Sequence, residues 1–113
     1  WPSSRVPCHR DFEPRNWIVG ERGFCLIDFE QARADIPEVD LVKLDQGLWR
    51  EQPDLARPFL EAWQPADLEL MRARLDVLGY VHALGTFIWG LRRADREFEG
   101  AGREMLERLS ESF

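Results

Sequence analysis

At 113 residues, 44% of them hydrophobic and 12% aromatic, the chain holds apolar material for one modest core and is read as a single domain. A formal net charge of −6 repels polyanions, which argues against nucleic-acid and anionic-membrane roles and draws cationic small molecules, although a solvated acidic surface is the plainer reading. No apolar run approaches the roughly 18 residues of a membrane span and no leader pattern opens the chain, so a soluble, cytoplasmic protein is expected. Trp1 in place of Met suggests a piece of a longer polypeptide. Cys8 and Cys25 lack CxxC spacing and a second pair for zinc, and are expected as buried free thiols.

The first third reads as short strands and tight loops, with apolar pieces separated by Pro, Gly, Asn and Asp. Trp17 to Val19 and Phe24 to Ile27 are the clearest strands, and Gly20-Glu21-Arg22-Gly23 between them suits a hairpin. From Val39 the spacing turns helical, with Val39, Leu41, Val42, Leu44 and Leu48 on one face and Pro53 as the stop. A second helix runs from about Leu55 to Trp63 and ends at Gln64-Pro65, after which Asp67 is placed to cap a long third one. That helix carries two stripes, one from Leu68 to Trp89 and one through Val77, Val81, Leu84, Ile88 and Leu91, which predicts burial on two sides. Its glycines 79, 85 and 90 allow close packing or a kink. Gly100 and Gly102 are expected to break the chain before a final amphipathic helix bearing Met105, Leu106, Leu109 and Phe113.

The chemistry sits in His9-Arg10-Asp11-Phe12-Glu13-Pro14-Arg15-Asn16, an HxDxxxxN loop, followed after the hairpin by Asp28-Phe29-Glu30. Phosphoryl transfer needs little more than an acceptor for a hydroxyl proton and oxygen ligands for magnesium, because catalysis there is mostly positioning and charge neutralisation. Asp11 suits the acceptor. Asn16 and Asp28 suit the metal, since magnesium keeps only one or two protein carboxylates alongside phosphate oxygens. The hairpin brings Asn16 and Asp28 to the same end of the ribbon. The plainer alternative makes all three turn caps. His82 is read as a core histidine, and Trp49, Trp63 and Trp89 as packing residues in preference to a substrate cage.

This segment resembles the catalytic and metal loops of the protein-kinase-like fold, and is most similar to the aminoglycoside phosphotransferase and choline kinase group, with Asp28-Phe29-Glu30 in place of DFG. The resemblance runs from about Val6 to Leu44 and includes Asp40, twelve residues after Asp28, with Pro37 and Leu41 also matching. It implies that Asp40 braces the catalytic loop through backbone hydrogen bonds and that His9 packs beneath the aspartate. The sequence departs from the family at Asp35 and Ile36, where Gly and Asp are usual, and at Arg10, where relatives frequently have Gly. Glu30, Asp35 and Glu38 could help hold a cationic acceptor, against the plainer reading of a solvated acidic loop.

The implied fold is α+β, mostly α: residues 1–113 as the C-terminal lobe of a kinase-like phosphotransferase, a hairpin followed by a helical bundle. The implied reaction moves the γ-phosphoryl of ATP or GTP, with Mg2+, to a hydroxyl of a small acceptor such as an aminoglycoside-type antibiotic. A Gly-rich phosphate loop, a strand Lys and its partner Glu are missing; Lys43, the single lysine, lies in a helix, the wrong context for that role. The isolated chain is therefore expected to be inactive without an N-terminal lobe, and the surface facing that lobe to favour a homo-oligomer. A non-catalytic kinase-like binding or regulatory module is the alternative; a metal-dependent hydrolase lacks the cluster for a second metal.

Overall fold

The computed structural model describes residues 4–111, and these fall into two compact units divided between Ala66 and Asp67. The architecture is α+β and mostly helical, with two separate antiparallel strand pairs.

In the first unit, strands β1 (Val6–Cys8) and β4 (Arg33–Asp35) pair through Val6 with Asp35 and Cys8 with Arg33. The sequence pattern did not mark β4, since three residues of Arg-Ala-Asp carry no alternation; its pairing with β1 closes the loop between them. The expected hairpin is present as β2 (Trp17–Gly20) and β3 (Gly23–Leu26), with Trp17 opposite Leu26. Gly23 turns the corner at φ 108, a conformation that glycine adopts without steric cost. Cys8 is buried as expected, but Cys25 is exposed, because period-two alternation turns it away from the ribbon's covered face.

The segment after β4 is helical, yet it is not the regular helix the spacing predicts. Ile36 is extended before Pro37, which opens a 3-10 turn, Pro37–Leu41. A π-helical turn, Leu44–Leu48, and a short α-helical turn α1 (Trp49–Glu51) follow. Leu41, Val42, Leu44 and Trp49 are all buried across these changes of pitch. Ile36 and Leu44 are fully enclosed; truncating either to alanine is worth about 2–5 kcal/mol. Helix α2 (Ala56–Trp63) ends where Gln64 enters the left-handed region at φ 54 ahead of Pro65.

The second unit is a helical hairpin. Asp67 caps α3 (Leu68–Arg93) by accepting from the Leu70 amide at 2.9 Å. The chain turns at Ala94 and Asp95, and Asp95 accepts from the amides of Glu97 and Phe98 to start α4 (Arg96–Glu111). Gly100 and Gly102 do not break the chain: they lie inside α4. Gly102 is needed there because a Cβ would collide with Phe87, and Gly90 because a Cβ would meet the Glu99 backbone. These two contacts draw α3 and α4 together antiparallel. Met71, Leu75, Gly79 and Ala83 are buried along α3, whereas the second stripe, Val77, Val81, Leu84, Ile88 and Leu91, stays exposed, so burial on two sides is not observed. Phe113 lies outside the described residues. Among the described residues no helix is long and apolar enough to cross a membrane.

Candidate active site

The HxDxxxxN loop is held from below by two residues. His9 is buried; its Nδ1 accepts the Asp11 amide at 3.1 Å, which leaves Nε2 to carry the proton and donate to the Ile27 carbonyl at 2.8 Å. With both ring nitrogens engaged, His9 is a strut between the loop and the end of β3, and its ring meets the edge of Phe29 at 4.8 Å. Asp40 receives two consecutive loop amides, His9 N on Oδ2 at 3.0 Å and Arg10 N on Oδ1 at 2.6 Å. Consecutive amides can point to one carboxylate because Arg10 stands at φ 70, the left-handed conformation that costs an L-residue roughly 1–2 kcal/mol. A glycine would meet that backbone requirement without the steric cost. Here Arg10 offsets the strain with an ion pair to Asp35 at 3.5 Å.

Asp11 is nearly buried and surrounded by donors. Asn16 Nδ2 reaches both its carbonyl, at 2.8 Å, and its Oδ2, at 3.0 Å; Arg15 Nη2 reaches both carboxylate oxygens; and Lys43 Nζ binds Oδ1. Lys43 also pairs with Glu13 at 3.1 Å, so one ammonium joins two carboxylates of the loop. Burial pushes the Asp11 carboxyl up, but the hydrogen bonds and charge of Lys43, with help from Asn16, outweigh it and hold the group at about 2. The carboxylates of Glu13 and Asp11 in turn raise the Arg15 guanidinium.

Asn16 closes a short 3-10 turn, Pro14–Asn16, immediately before β2, and its carbonyl accepts the Ile27 amide at 2.9 Å. That bond extends the hairpin ladder by one step and sets Asp28 beside Asn16 at the ribbon's open end. Asp28 is exposed, adopts φ 61, and makes no side-chain hydrogen bond among the described residues. Because the Asn16 amide nitrogen is spent on Asp11, its oxygen is the atom left to face a ligand. One free carboxylate and one amide oxygen fit a magnesium ion that takes its other ligands from phosphate and water. Among the described residues no three His, Cys, Asp or Glu side chains form a ready-made metal cage.

The three acidic residues considered for an acceptor stand in different environments: Glu30 is exposed, Asp35 is tied to Arg10 and to the Ile36 amide, and Glu38 is buried. His82 is half-buried. Trp49 packs edge-on to Phe59 and Trp89 lies against Phe98, while Trp63, at the end of α2, faces a cavity. Sequence reasoning set Lys43 aside for want of a strand, yet it reaches the centre of the loop. The signal was its spacing: three residues after Asp40 on a helical turn, it shares the face that Asp40 turns to the loop. Arg15, four residues after Asp11, was passed over as well.

Residues 1–76 match the phosphotransferase enzyme family, a span that contains the loop, the hairpin, Asp28 and Asp40, and the chain belongs to that family. No curated protein and no solved structure matches it significantly.

Proposed function

We propose that this chain is the C-terminal, catalytic lobe of a protein-kinase-like phosphotransferase that moves the γ-phosphoryl of ATP or GTP to a hydroxyl of a small acceptor, aminoglycoside-type antibiotics being one candidate class. The observation that carries the reading is the division of labour between the two loops: Asp11 is held by Asn16 and Lys43, while the exposed Asp28 spends no side-chain hydrogen bond among the described residues.

Asp11 is the group that meets the acceptor. Ionised throughout the physiological range, it orients the hydroxyl and accepts its proton late, as bonding to phosphorus develops. Asn16 and Asp28 would hold the magnesium, which when bound neutralises charge on the nucleotide phosphates. His9 and Asp40 keep the Asp11 carboxylate where the hydroxyl must arrive. Nucleotide grip belongs to an N-terminal lobe outside this chain, and the surface turned to that lobe is the expected place of self-association. A cytoplasmic location accords with a nucleotide-dependent reaction.

The test is magnesium-dependent ADP release by the parent protein against aminoglycosides, macrolides, choline and small sugars, with Asp11→Ala as control. Acceptor-stimulated release that disappears in the variant supports the reading; failure of magnesium and nucleotide to bind at all refutes the assignment of Asn16 and Asp28.

A further inference from the structure

Asp11, assigned to meet the acceptor hydroxyl, has no position left to receive it. An ionised carboxylate offers about four lone-pair positions. Four contacts fill them, from Lys43 and Arg15 on Oδ1 and from Asn16 and Arg15 on Oδ2. A hydroxyl can hand its proton to Asp11 only after one of these donors leaves.

The three donors are not equally fixed. Asn16 is buried and also donates to the Asp11 carbonyl at 2.8 Å. Lys43, its side chain 31% exposed, joins Asp11 to Glu13. Arg15 is 65% exposed and spreads one nitrogen, Nη2, over both carboxylate oxygens at 3.2 and 3.1 Å, near the long end of the usual range. Its Nε pairs with Glu13 at 3.2 Å, and its Nη1 donates to no group among the described residues. Arg15 is therefore the donor that can leave, and its departure opens two positions while Lys43 and Asn16 keep the carboxylate in place.

Whatever draws Arg15 away has to suit a guanidinium better than the carboxylate it leaves. Phosphoryl oxygens do, because the planar fork meets them through two parallel hydrogen bonds. Arg15 also lies within electrostatic reach of Asp28, whose charge acts on the guanidinium together with those of Glu13 and Asp11. It thus stands close to the residue assigned to the metal as well as to the residue assigned to the hydroxyl.

We propose that Arg15 is a gate that changes partners: it covers Asp11 while the site is empty and moves to the terminal phosphoryl oxygens of the nucleotide when they arrive. The acceptor hydroxyl then gains Asp11 only once a phosphoryl donor is in place. The inference rests on the phosphotransferase reading for the source of the phosphate, but the exchange of partners is measurable without turnover.

The 113-residue chain is titrated by NMR with inorganic tripolyphosphate and magnesium, with the Arg15 guanidinium signals as the readout. Those signals shift, Arg15→Gln weakens binding about fivefold or more, and Arg57→Gln, an exposed arginine of α2, leaves it within about twofold. Asp11→Asn removes the competitor for Arg15 and tightens tripolyphosphate about threefold, a gain that disappears in the Arg15→Gln background. Binding that leaves the Arg15 signals in place, no binding, equal losses in Arg15→Gln and Arg57→Gln, or a gain from Asp11→Asn that persists without Arg15 overturns the proposal, the last because simple repulsion would explain it. Tighter binding of glycerol phosphate, the probe for a phosphate carried by the acceptor, overturns it as well. Failure of the phosphotransferase reading looks different: Arg15 exchanges as described, yet the parent protein releases no ADP with any acceptor.

Discussion

Lys43 donates to the carboxylate of Asp11 from 32 positions away in the sequence and carries Glu13 on the same ammonium. The single lysine of the chain thus sits on the residue assigned to meet the acceptor hydroxyl, and it is the main reason that a buried carboxylate stays ionised.

Lys43→Met should therefore raise the Asp11 carboxyl from about 2 toward or past its ordinary 3.8, since burial then acts with less opposition. A carboxyl depressed on folding stabilises the fold above its ordinary value and loses that contribution as pH falls through the folded value. The variant is expected to be less stable than the parent sequence by roughly 2 kcal/mol at neutral pH, with the gap closing between about pH 4 and pH 2. Carbon-13 carboxyl titration and urea midpoints at both ends of that window measure the two effects. A gap that persists at the acid end would show that Lys43 acts by packing.

Arg10 separates backbone from side chain. Its φ of 70 and its half-exposed ion pair with Asp35 pull in opposite directions. Arg10→Gly relieves the backbone and loses a pair worth up to about 1 kcal/mol; Arg10→Ala loses the pair and keeps the strain, and should be less stable than Arg10→Gly by about 1 kcal/mol. Denaturant midpoints of the two variants decide it, and equal midpoints would mean that the loop is not held at positive φ.

Asp40→Asn leaves one of the two loop amides facing an NH2 group. We expect a loss of about 1–3 kcal/mol and faster hydrogen exchange at the His9 and Arg10 amides, with α4 unaffected. Uniform acceleration across the chain would instead mark global destabilisation.

In the helical hairpin the glycines differ in kind. A Cβ at Gly90 or Gly102 meets neighbouring backbone, whereas one at Gly100 meets open space. Gly102→Ala should cost about 1–3 kcal/mol, and Gly100→Ala should stabilise by up to about 1 kcal/mol through helix propensity. Thermal melts of the two variants, shifted in opposite directions, are the expected result.

What the sequence by itself determined is the order of the candidate groups and their local frame. The order His9, Asp11, Asn16, hairpin, Asp28 is a matter of covalent spacing, and a two-stranded ribbon returns its exit to the level of its entry, so the placing of Asn16 and Asp28 at the same end of the hairpin was an expectation of spacing alone. The cap at Asp67 and the stop at Gln64-Pro65 were legible for the same reason, being local backbone chemistry. Tertiary structure decided the rest. Lys43 and Asp11 meet only because the irregular turns from Pro37 to Leu48 bring a distant helical face under the loop, and no local propensity encodes that approach. Gly102 reads as a breaker in a single helix and becomes a contact surface only when Phe87 of another helix lies against it. The second stripe of α3 has the spacing of a buried face, but burial belongs to a pair of surfaces, and periodicity describes one surface alone.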